Sequence, residues 1–428
     1  WAGDAREVDF SLSYGKSFAD GRGHILLGGE YNNNDGTGDC YSRDWCARSV
    51  LSVPNPLRLV NGQPANIIAS SVHTSSTTLQ GMFTAGVLKG TAFNDDGSTR
   101  QFQYGTIVGA IHMIGGEGGG FNNFIAGPLL VVPVERVSTF GQLGYDLTDS
   151  VKLSAELSWG KTIGQNLGAP GRDPGSIVIR ADNAYLPADL KAKLVAAGQA
   201  TAAFGRSSFD LGFPLNRSEV ETWRGVLALD GKLGGGWSWN LYYQYGRSDY
   251  DQTSRNNRIT ANFNRAVDAV VNPANGQITC RALLSADPAV RAAAAGCQPM
   301  NLFGQYNWTE ASKAYVFADA WQSTRNEQHV VSASVQGDVV QLPAGALTIA
   351  AGAEYREEKA KGAADPISLA GGFYYGNGVG VTGNVRVKEG FAEAVLPVLA
   401  DMPFARKLEL NGAIRRTNYS TSGSVTTW

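Results

Sequence analysis

The segment PVERVSTFGQLGYDLTDSVKLSAELSWG, residues 133–160, determines how the rest of the chain is interpreted. Along its second half apolar and polar residues alternate without interruption, which is typical of a strand with one apolar and one polar face. The apolar positions are Val151, Leu153, Ala155, Leu157 and Trp159. Residues 147–150 form a short turn that follows a strand with a similar apolar face. The segment therefore predicts an antiparallel hairpin.

The hairpin pattern recurs along the chain, each time with a short turn at one end and a long polar stretch at the other. We predict about ten strands in five hairpins, with turns near residues 20–23, 147–150, 230–236, 342–345 and 401–404. The polar stretches cover about residues 32–128, 161–217, 251–325 and 359–384, and residues 186–199 and 285–296 are predicted short helices. An all-β chain with short turns, long loops and alternating strands is typical of an antiparallel transmembrane β-barrel. A soluble sandwich would distribute its long loops over both ends.

The amino-acid composition also agrees with a β-barrel whose surface lies partly in a membrane. The 428 residues include 53 Gly and 10% aromatic residues but only 17% charged residues, below the roughly 25% of soluble proteins. No run of 18 apolar residues occurs, so strands rather than helices would cross a membrane. Trp237 and Tyr245 would lie about 26 Å apart along one strand, a spacing that suits two aromatic girdles, which Tyr145 and Trp159 would join. The net charge of −2 gives no reason to expect nucleic acid as a partner.

The four cysteines form two local pairs, Cys40 with Cys46 and Cys280 with Cys297. Close spacing in loop-like sequence favours two disulfides and an oxidising compartment, and four reduced thiols are the alternative. A zinc site is not expected, because neither pair has the C-x2-C spacing.

No pattern of catalysis, metal binding or cofactor binding is present. The histidines are scattered, at His24, His73, His112 and His329, and no G-x-S-x-G motif occurs. We therefore expect no enzyme activity, no metal and no cofactor.

Several segments in order resemble the TonB-dependent receptors of Gram-negative outer membranes. These are the hairpin at 133–160, NAYLP at 183–187, CQPMNLFG at 297–304, GAEYREE at 352–358 and the run from residue 388 to residue 428. The resemblance implies a 22-stranded barrel that is plugged by a separate N-terminal domain. Residues 1–428 would be one partial barrel domain without the plug and the closing strands. The TonB–ExbB–ExbD system would act through that plug domain.

Polar faces of the predicted strands would point into the barrel lumen if the apolar faces meet lipid. The residues are Glu156, Gln244, Glu354, Arg356, Glu389, Glu393, Glu409, Asn411 and Arg415. The resemblance implies that they line the wall and contact the plug, which would supply partners for buried charges. A water-filled lumen, which needs no such partner, is the alternative.

The family binds its ligands with loops and the plug apex. The local ligand-binding candidate is the aromatic and Arg-rich set Tyr41, Arg43, Asp44, Trp45 and Arg48. The same set is equally compatible with a loop that packs on itself around a Cys40–Cys46 disulfide.

The expected function is import of a scarce solute across the outer membrane by a TonB-dependent receptor. A passive porin and a β-rich adhesin or carbohydrate-binding surface protein are the alternatives. The solute stays open among iron chelates, vitamins and oligosaccharides. We also expect that the first and last strands of the chain do not pair, which would leave an open sheet that aggregates when expressed alone.

Overall fold

The structure, a computed structural model, describes residues 3–117 and 127–428. Its main element is an 11-stranded antiparallel sheet in which each strand pairs with the next one along the chain. The strands are β1 Glu7–Phe18, β2 Gly23–Asn34, β3 Val134–Thr148, β4 Val151–Leu167, β5 Leu215–Lys232, β6 Ser238–Arg258, β7 Phe317–Leu342, β8 Gly345–Ala364, β9 Val381–Met402, β10 Ala405–Tyr419 and β11 Gly423–Thr427. The predicted five hairpins are all present, and the short β11 is added to them.

The hairpin at residues 133–160 forms as predicted. β3 and β4 are joined by a two-residue turn at Asp149 and Ser150, and Leu157 of β4 lies opposite Gly141 of β3. The period of two fixes this register, because a slip by one residue would move every apolar side chain to the other face.

Several strands continue further toward the long loops than the sequence pattern predicts. β6 has 21 residues and β7 has 26, whereas about 9–11 residues suffice to cross a bilayer. The predicted loops at 161–217 and 251–325 therefore begin later, after Leu167 and Arg258. The backbone ladder continues where neither face is apolar, so the alternation that marks a strand is lost while the strand itself persists.

The sheet is open along both edges. Among the described residues, β1 pairs only with β2 and β11 pairs only with β10. The prediction that the first and last strands do not pair is confirmed.

Four long connections lie at the same end of the sheet, and we call them loop 1 (residues 35–133), loop 2 (168–214), loop 3 (259–316) and loop 4 (365–380). Their α-helices are α1 Asp44–Ala47, α2 Ala188–Ala196, α3 Thr260–Val267, α4 Pro288–Ala293, α5 Glu310–Val316 and α6 Pro366–Leu369, and their 3-10 helices are Cys40–Ser42, Gly86–Leu88, Phe209–Leu211 and Arg281–Leu284. Their short strands are Leu51–Pro54, Asn66–Ala69, Val72–Thr74, Met82–Phe83, Thr91–Phe93, Thr99–Gln101, Tyr104–Val108, His112–Gly116, Arg172–Arg180, Thr201–Ser207, Ala269–Val271 and Ile278–Cys280.

The two predicted helices are present, with one correction. α2 lies within residues 186–199, as predicted. α4 starts later than residue 285, the start of the predicted range, because Asp287 is its N-cap residue and accepts a hydrogen bond from the Ala289 amide at 2.8 Å. Pro288 at the first helical position fixes that start.

The largest hydrophobic core of the protein lies within these loops rather than in the sheet. Phe83 and Phe93 of loop 1, Phe204 of loop 2 and Phe303 of loop 3 are all buried, with ring centroids between 4.7 and 6.4 Å apart. Strand Met82–Phe83 of loop 1 also pairs with loop 2. The long polar stretches predicted from the sequence therefore contain apolar residues that pack together in one core, and we call this unit the loop cap.

Both predicted disulfides are present, Cys40–Cys46 and Cys280–Cys297. Cys280 and Cys297 belong to the core of the loop cap. Among the described residues, no helix is both long and apolar enough to cross a membrane.

Candidate functional site

The register of the main sheet separates two faces with different chemistry. One face, which we call the apolar face, carries Leu153, Ala155, Leu157, Leu227, Leu229, Leu241, Tyr243, Val331 and Ala333. Leu157 is 57% exposed and Leu227 is 54% exposed, so no protein group covers their side chains. Apolar side chains left open in this way across several strands need an apolar solvent.

Tryptophan rings lie at both ends of the apolar face. At the loop end, Trp159 and Trp223 are 5.9 Å apart, and both indole N–H groups donate to the same Oε1 of Glu221, at 2.9 and 3.0 Å. At the turn end, the Trp237 and Trp239 rings lie against glycines of neighbouring strands, where an added Cβ would overlap them. Trp159 and the turn-end row of β4 are about 26 Å apart along the strand, the arrangement that aromatic girdles require.

The opposite face, the polar face, carries every residue predicted to line the wall. The register places Glu156, Gln244 and Arg356 in one row and Glu354 with Glu389 in the next. The remaining positions of the predicted set, Glu393, Glu409, Asn411 and Arg415, have the same parity on their strands. That this face lines a lumen stays a prediction.

A continuous group of hydrogen bonds and ion pairs crosses the polar face, and we call it the charged belt. It consists of Gln142, Glu156, Arg224, Tyr242, Gln244, Gln328, Glu354, Arg356 and Glu358. Arg224 donates to Glu156 at 3.2 Å and to Gln244 at 3.0 Å, and Gln244 donates onward to Gln328 at 2.8 Å. The charges of the belt lie beside opposite charges within the wall, and their contact with a plug stays a prediction.

The predicted wall residues of the last strands differ in their pairing. Glu389 accepts from Thr417 Oγ1 at 2.8 Å and lies 3.2 Å from Arg415. In the described part of the chain, Glu393 and Asn411 have no side-chain partner. A further protein element could form hydrogen bonds with these two unpaired side chains near the open edge of the sheet.

Between the charged belt and the loop cap, the polar face of β4–β8 contains no charged residue, and we call this area the neutral wall. Its rows are Gly160, Thr222, Ser248, Asn326 and Ala360; Thr162, Val220, Tyr250, Thr324 and Gly362; Gly164, Ser218, Gln252, Gln322 and Ala364; and Asn166, Asn216, Ser254 and Ala320. Gln322 donates to Gln252 at 2.7 Å. A small cavity of about 40 Å³ lies between these two amides and Gly378 of loop 4.

The candidate ligand-binding set in loop 1 forms one tight turn. Cys40 and Cys46 close it with a Cα–Cα distance of 5.1 Å, and Trp45 is 65% exposed. The Arg43 guanidinium donates to Asp4 at 2.7 Å, so one of the two predicted cations is already paired. The structure brings Tyr41, Arg43, Asp44, Trp45 and Arg48 together, and their role in ligand binding stays a prediction.

A buried ion pair that the sequence analysis missed joins three loops. Arg206 of loop 2 is fully buried and donates to Asp210 at 2.7 Å and to the Gly304 carbonyl of loop 3 at 3.0 Å. Asp210 also accepts from the indole of Trp308 at 2.9 Å, and Arg206 forms a β-bridge with Thr78 of loop 1. The signal in the sequence is a pair of charges four residues apart in an otherwise uncharged segment.

A second buried pair attaches loop 4. Arg258 at the end of β6 donates two bonds to Asp173 of loop 2, at 2.6 and 3.0 Å. Its guanidinium lies 4.1 Å from the ring centroid of Phe263 and 3.8 Å from that of Tyr374. Burial raises the pKa of Tyr374 to about 12, and the negative charge of Asp173 adds to the rise.

Comparison with known proteins gives matches only among solved structures. No protein-family model and no curated protein matches the chain. It is similar to the siderophore receptor PirA from Acinetobacter baumannii (TM-score 0.40, 11% identity, 99% of this chain and 37% of that chain). It is also similar to the ferric enterobactin receptor PfeA from Pseudomonas aeruginosa, solved with enterobactin (0.36, 13%, 99% and 38%). A third similar structure is the translocator domain of the autotransporter NalP from Neisseria meningitidis (0.24, 9%, 67% and 62%).

These likenesses concern the fold, and the chain spans 37% and 38% of the length of the two receptors. Because these identities are low and the three TM-scores lie below 0.5, we transfer no residue role and no ligand from these proteins to this chain.

Proposed function

We propose that the chain is the partial barrel of a TonB-dependent receptor in the outer membrane of a Gram-negative bacterium. The observation that carries the proposal is the two-faced sheet: an uncovered apolar face between two sets of Trp rings, and a hydrogen-bonded polar face behind it. Only a helix or a closed barrel satisfies all backbone groups in lipid, so this sheet acts as a segment of a larger barrel. The imported solute passes along the polar face.

The packed loop cap supports a selective receptor rather than a passive porin. Loops 1–3 share one hydrophobic core, and loop 4 is held to β6 and loop 2 by Arg258. Ordered loops at the mouth hold binding groups in fixed positions, and preorganisation of this kind favours tight binding of a dilute solute. The exposed turn around Trp45 is the outermost candidate contact for the solute.

Two partners belong to this proposal. A plug domain docks against the polar face, with Glu393 and Asn411 as the unpaired groups that receive it. The TonB–ExbB–ExbD system supplies energy through that plug, and outer-membrane lipid covers the apolar face.

Growth competition with the full-length gene tests the proposal. Strains with and without the gene are compared in media limited for iron, for a vitamin or for one carbon source at a time, each with and without TonB. We expect a growth advantage in one medium that disappears when TonB is deleted. An advantage that persists without TonB would indicate a porin, and surface exposure with no advantage in any medium would indicate an adhesin.

A further inference from the structure

The neutral wall and the surface directly behind it belong to the same strands but carry opposite chemistry. Residues that alternate with the neutral wall form one complete row of charges on the other face: Lys161, Glu221, Asp249, Arg325 and Lys361. The adjoining row on the polar face contains Thr162, Val220, Tyr250, Thr324 and Gly362. Within β4–β8 the absence of charge on the polar face is therefore a property of position and not of the local composition.

The neutral wall also differs from the charged belt below it on the same face. The row that contains Arg224 and Glu358 is the last charged row before the wall begins. From there to the loop cap, across β4–β8, the side chains are hydroxyls, amides, one phenol and small apolar groups. A solute on its way from the loops meets this uncharged surface before it meets the belt.

Several polar groups of the neutral wall are free to bind a solute. Within the described part of the chain, Tyr250, Ser218, Thr324 and Asn326 have no side-chain hydrogen bond. Hydroxyl and amide groups both donate and accept hydrogen bonds. The Tyr250 ring adds an apolar surface beside a polar tip, a combination that suits ligands with one apolar and one hydroxylated side.

We propose that the neutral wall binds an uncharged, hydroxyl-rich solute, a sugar or short oligosaccharide, and that this is the substrate class of the receptor. The inference rests on the proposed function and deepens it. An anionic iron chelate would be held by Arg or Lys, which form the strong bonds to anionic oxygens. Within β4–β8 no such residue occurs on this wall, and the cation next to it on β3, Arg136, is paired with Glu30 at 3.3 Å. A site built to bind hydroxyl groups strongly disfavours solutes that leave its polar groups unpaired.

Binding to the full-length protein in detergent tests this proposal. The probes are maltohexaose, cellohexaose and xylohexaose as neutral oligosaccharides and ferric enterobactin as an anionic chelate, each measured by titration calorimetry. We expect saturable binding of at least one oligosaccharide and none of ferric enterobactin. Tyr250→Ala should weaken the oligosaccharide by about tenfold.

Two further variants separate binding from folding. Tyr243→Ala removes a tyrosine from the same strand on the apolar face, where its hydroxyl lies 3.2 Å from His329 Nδ1, and should leave sugar binding unchanged. Thr324→Val keeps the shape of the wall and removes one hydroxyl, so it should weaken binding even where Tyr250→Ala does not fold. Heat-modifiable migration of each variant shows that the barrel has formed.

The outcomes distinguish this inference from the proposed function. Binding of ferric enterobactin alone, or of no probe, overturns the sugar class while a TonB-dependent growth advantage still supports the receptor. Sugar binding that is unaffected by both Tyr250→Ala and Thr324→Val shows that the neutral wall is not the site, and this also overturns the inference. Loss of TonB dependence in the growth experiment refutes the proposed function whatever the protein binds.

Discussion

The main sheet and the loop cap place their apolar side chains in opposite ways. In the loop cap Phe83 and Phe204 are completely buried, and charges that enter the core, such as Arg206, are paired. In the sheet Leu157 and Leu227 are more than half exposed, and the paired charges beside them, Arg224 and Glu156, lie on the other face. The cap is thus organised as a water-soluble protein is, and the sheet is organised for a solvent that is apolar on one side only.

This difference explains how one chain can combine the two parts. Burial of apolar area stabilises the cap by about 25 cal/mol per Å² in water, without help from a membrane. The sheet gains the same stabilisation only when lipid covers its apolar face. Changes in the cap should therefore affect loop stability alone, whereas changes on the apolar face should affect assembly in the membrane.

The largest effect is expected from breaking the buried pair in the loop cap. Arg206→Met leaves Asp210 charged and buried without its cation, which costs about 3–5 kcal/mol for a pair of this kind. Hydrogen exchange of the full-length protein should then show faster exchange in peptides of loops 1–3 and unchanged exchange in β3 and β4.

The matched control is Arg224→Met in the charged belt. Its pair with Glu156 has side chains that are 41% and 31% exposed, and such pairs contribute about 0–1 kcal/mol. If Arg206→Met exchanges no faster than Arg224→Met, the buried pair is not what joins the loops.

The next effect concerns the apolar face. Leu157→Arg places a charge where lipid is expected, at a cost of about 2–4 kcal/mol near the bilayer midplane. The fraction of protein that reaches the outer membrane as a heat-modifiable barrel should fall. Glu156→Gln, the neighbouring residue on the polar face, should assemble normally, and equal assembly of the two variants as heat-modifiable barrels would mean that the assignment of the faces is wrong.

The two disulfides should differ in their contribution to loop stability. Cys280 and Cys297 are separated by 17 positions and Cys40 and Cys46 by 6. Because the entropy of loop closure rises with loop length, the double Ala variant of the longer pair should lose about 1 kcal/mol more than that of the shorter pair. Chemical denaturation followed by loop proteolysis measures the difference. Equal losses would point to effects of the unfolded state other than loop length.

The sheet was more predictable than the cap, for a physical reason. A period of two assigns each residue of β3 and β4 to a face from local sequence alone. The core of the cap combines Phe83, Phe204 and Phe303, which are far apart in sequence and show no periodicity. Strand length was also hard to predict, because the loop ends of β6 and β7 carry polar residues on both faces and therefore show no alternation.

The candidate site was predictable to a similar extent. The alternation along each strand assigned the wall residues to one face, because Glu156 and Arg356 alternate with apolar neighbours. The pairing of the charges with one another, and the neutral wall above them, depend on the alignment of β4–β8. That alignment is a property of tertiary structure, and a single strand does not reveal it.

The smallest expected effect is a pH dependence where loop 4 attaches to the cap. Burial raises the pKa of Tyr374 from 10.0 to about 12, so the folded loop retains this proton at a pH where the unfolded chain has lost it. The stability that this group contributes is therefore complete below about pH 10 and is lost as the pH rises toward about 12. A tyrosinate absorbance titration of the wild type minus that of Tyr374→Phe should show one ionisation near pH 12, and in denaturant the same difference should move to about pH 10. A difference that titrates near pH 10 in the folded protein would show that the Tyr374 ring is not buried against the Arg258 guanidinium as described.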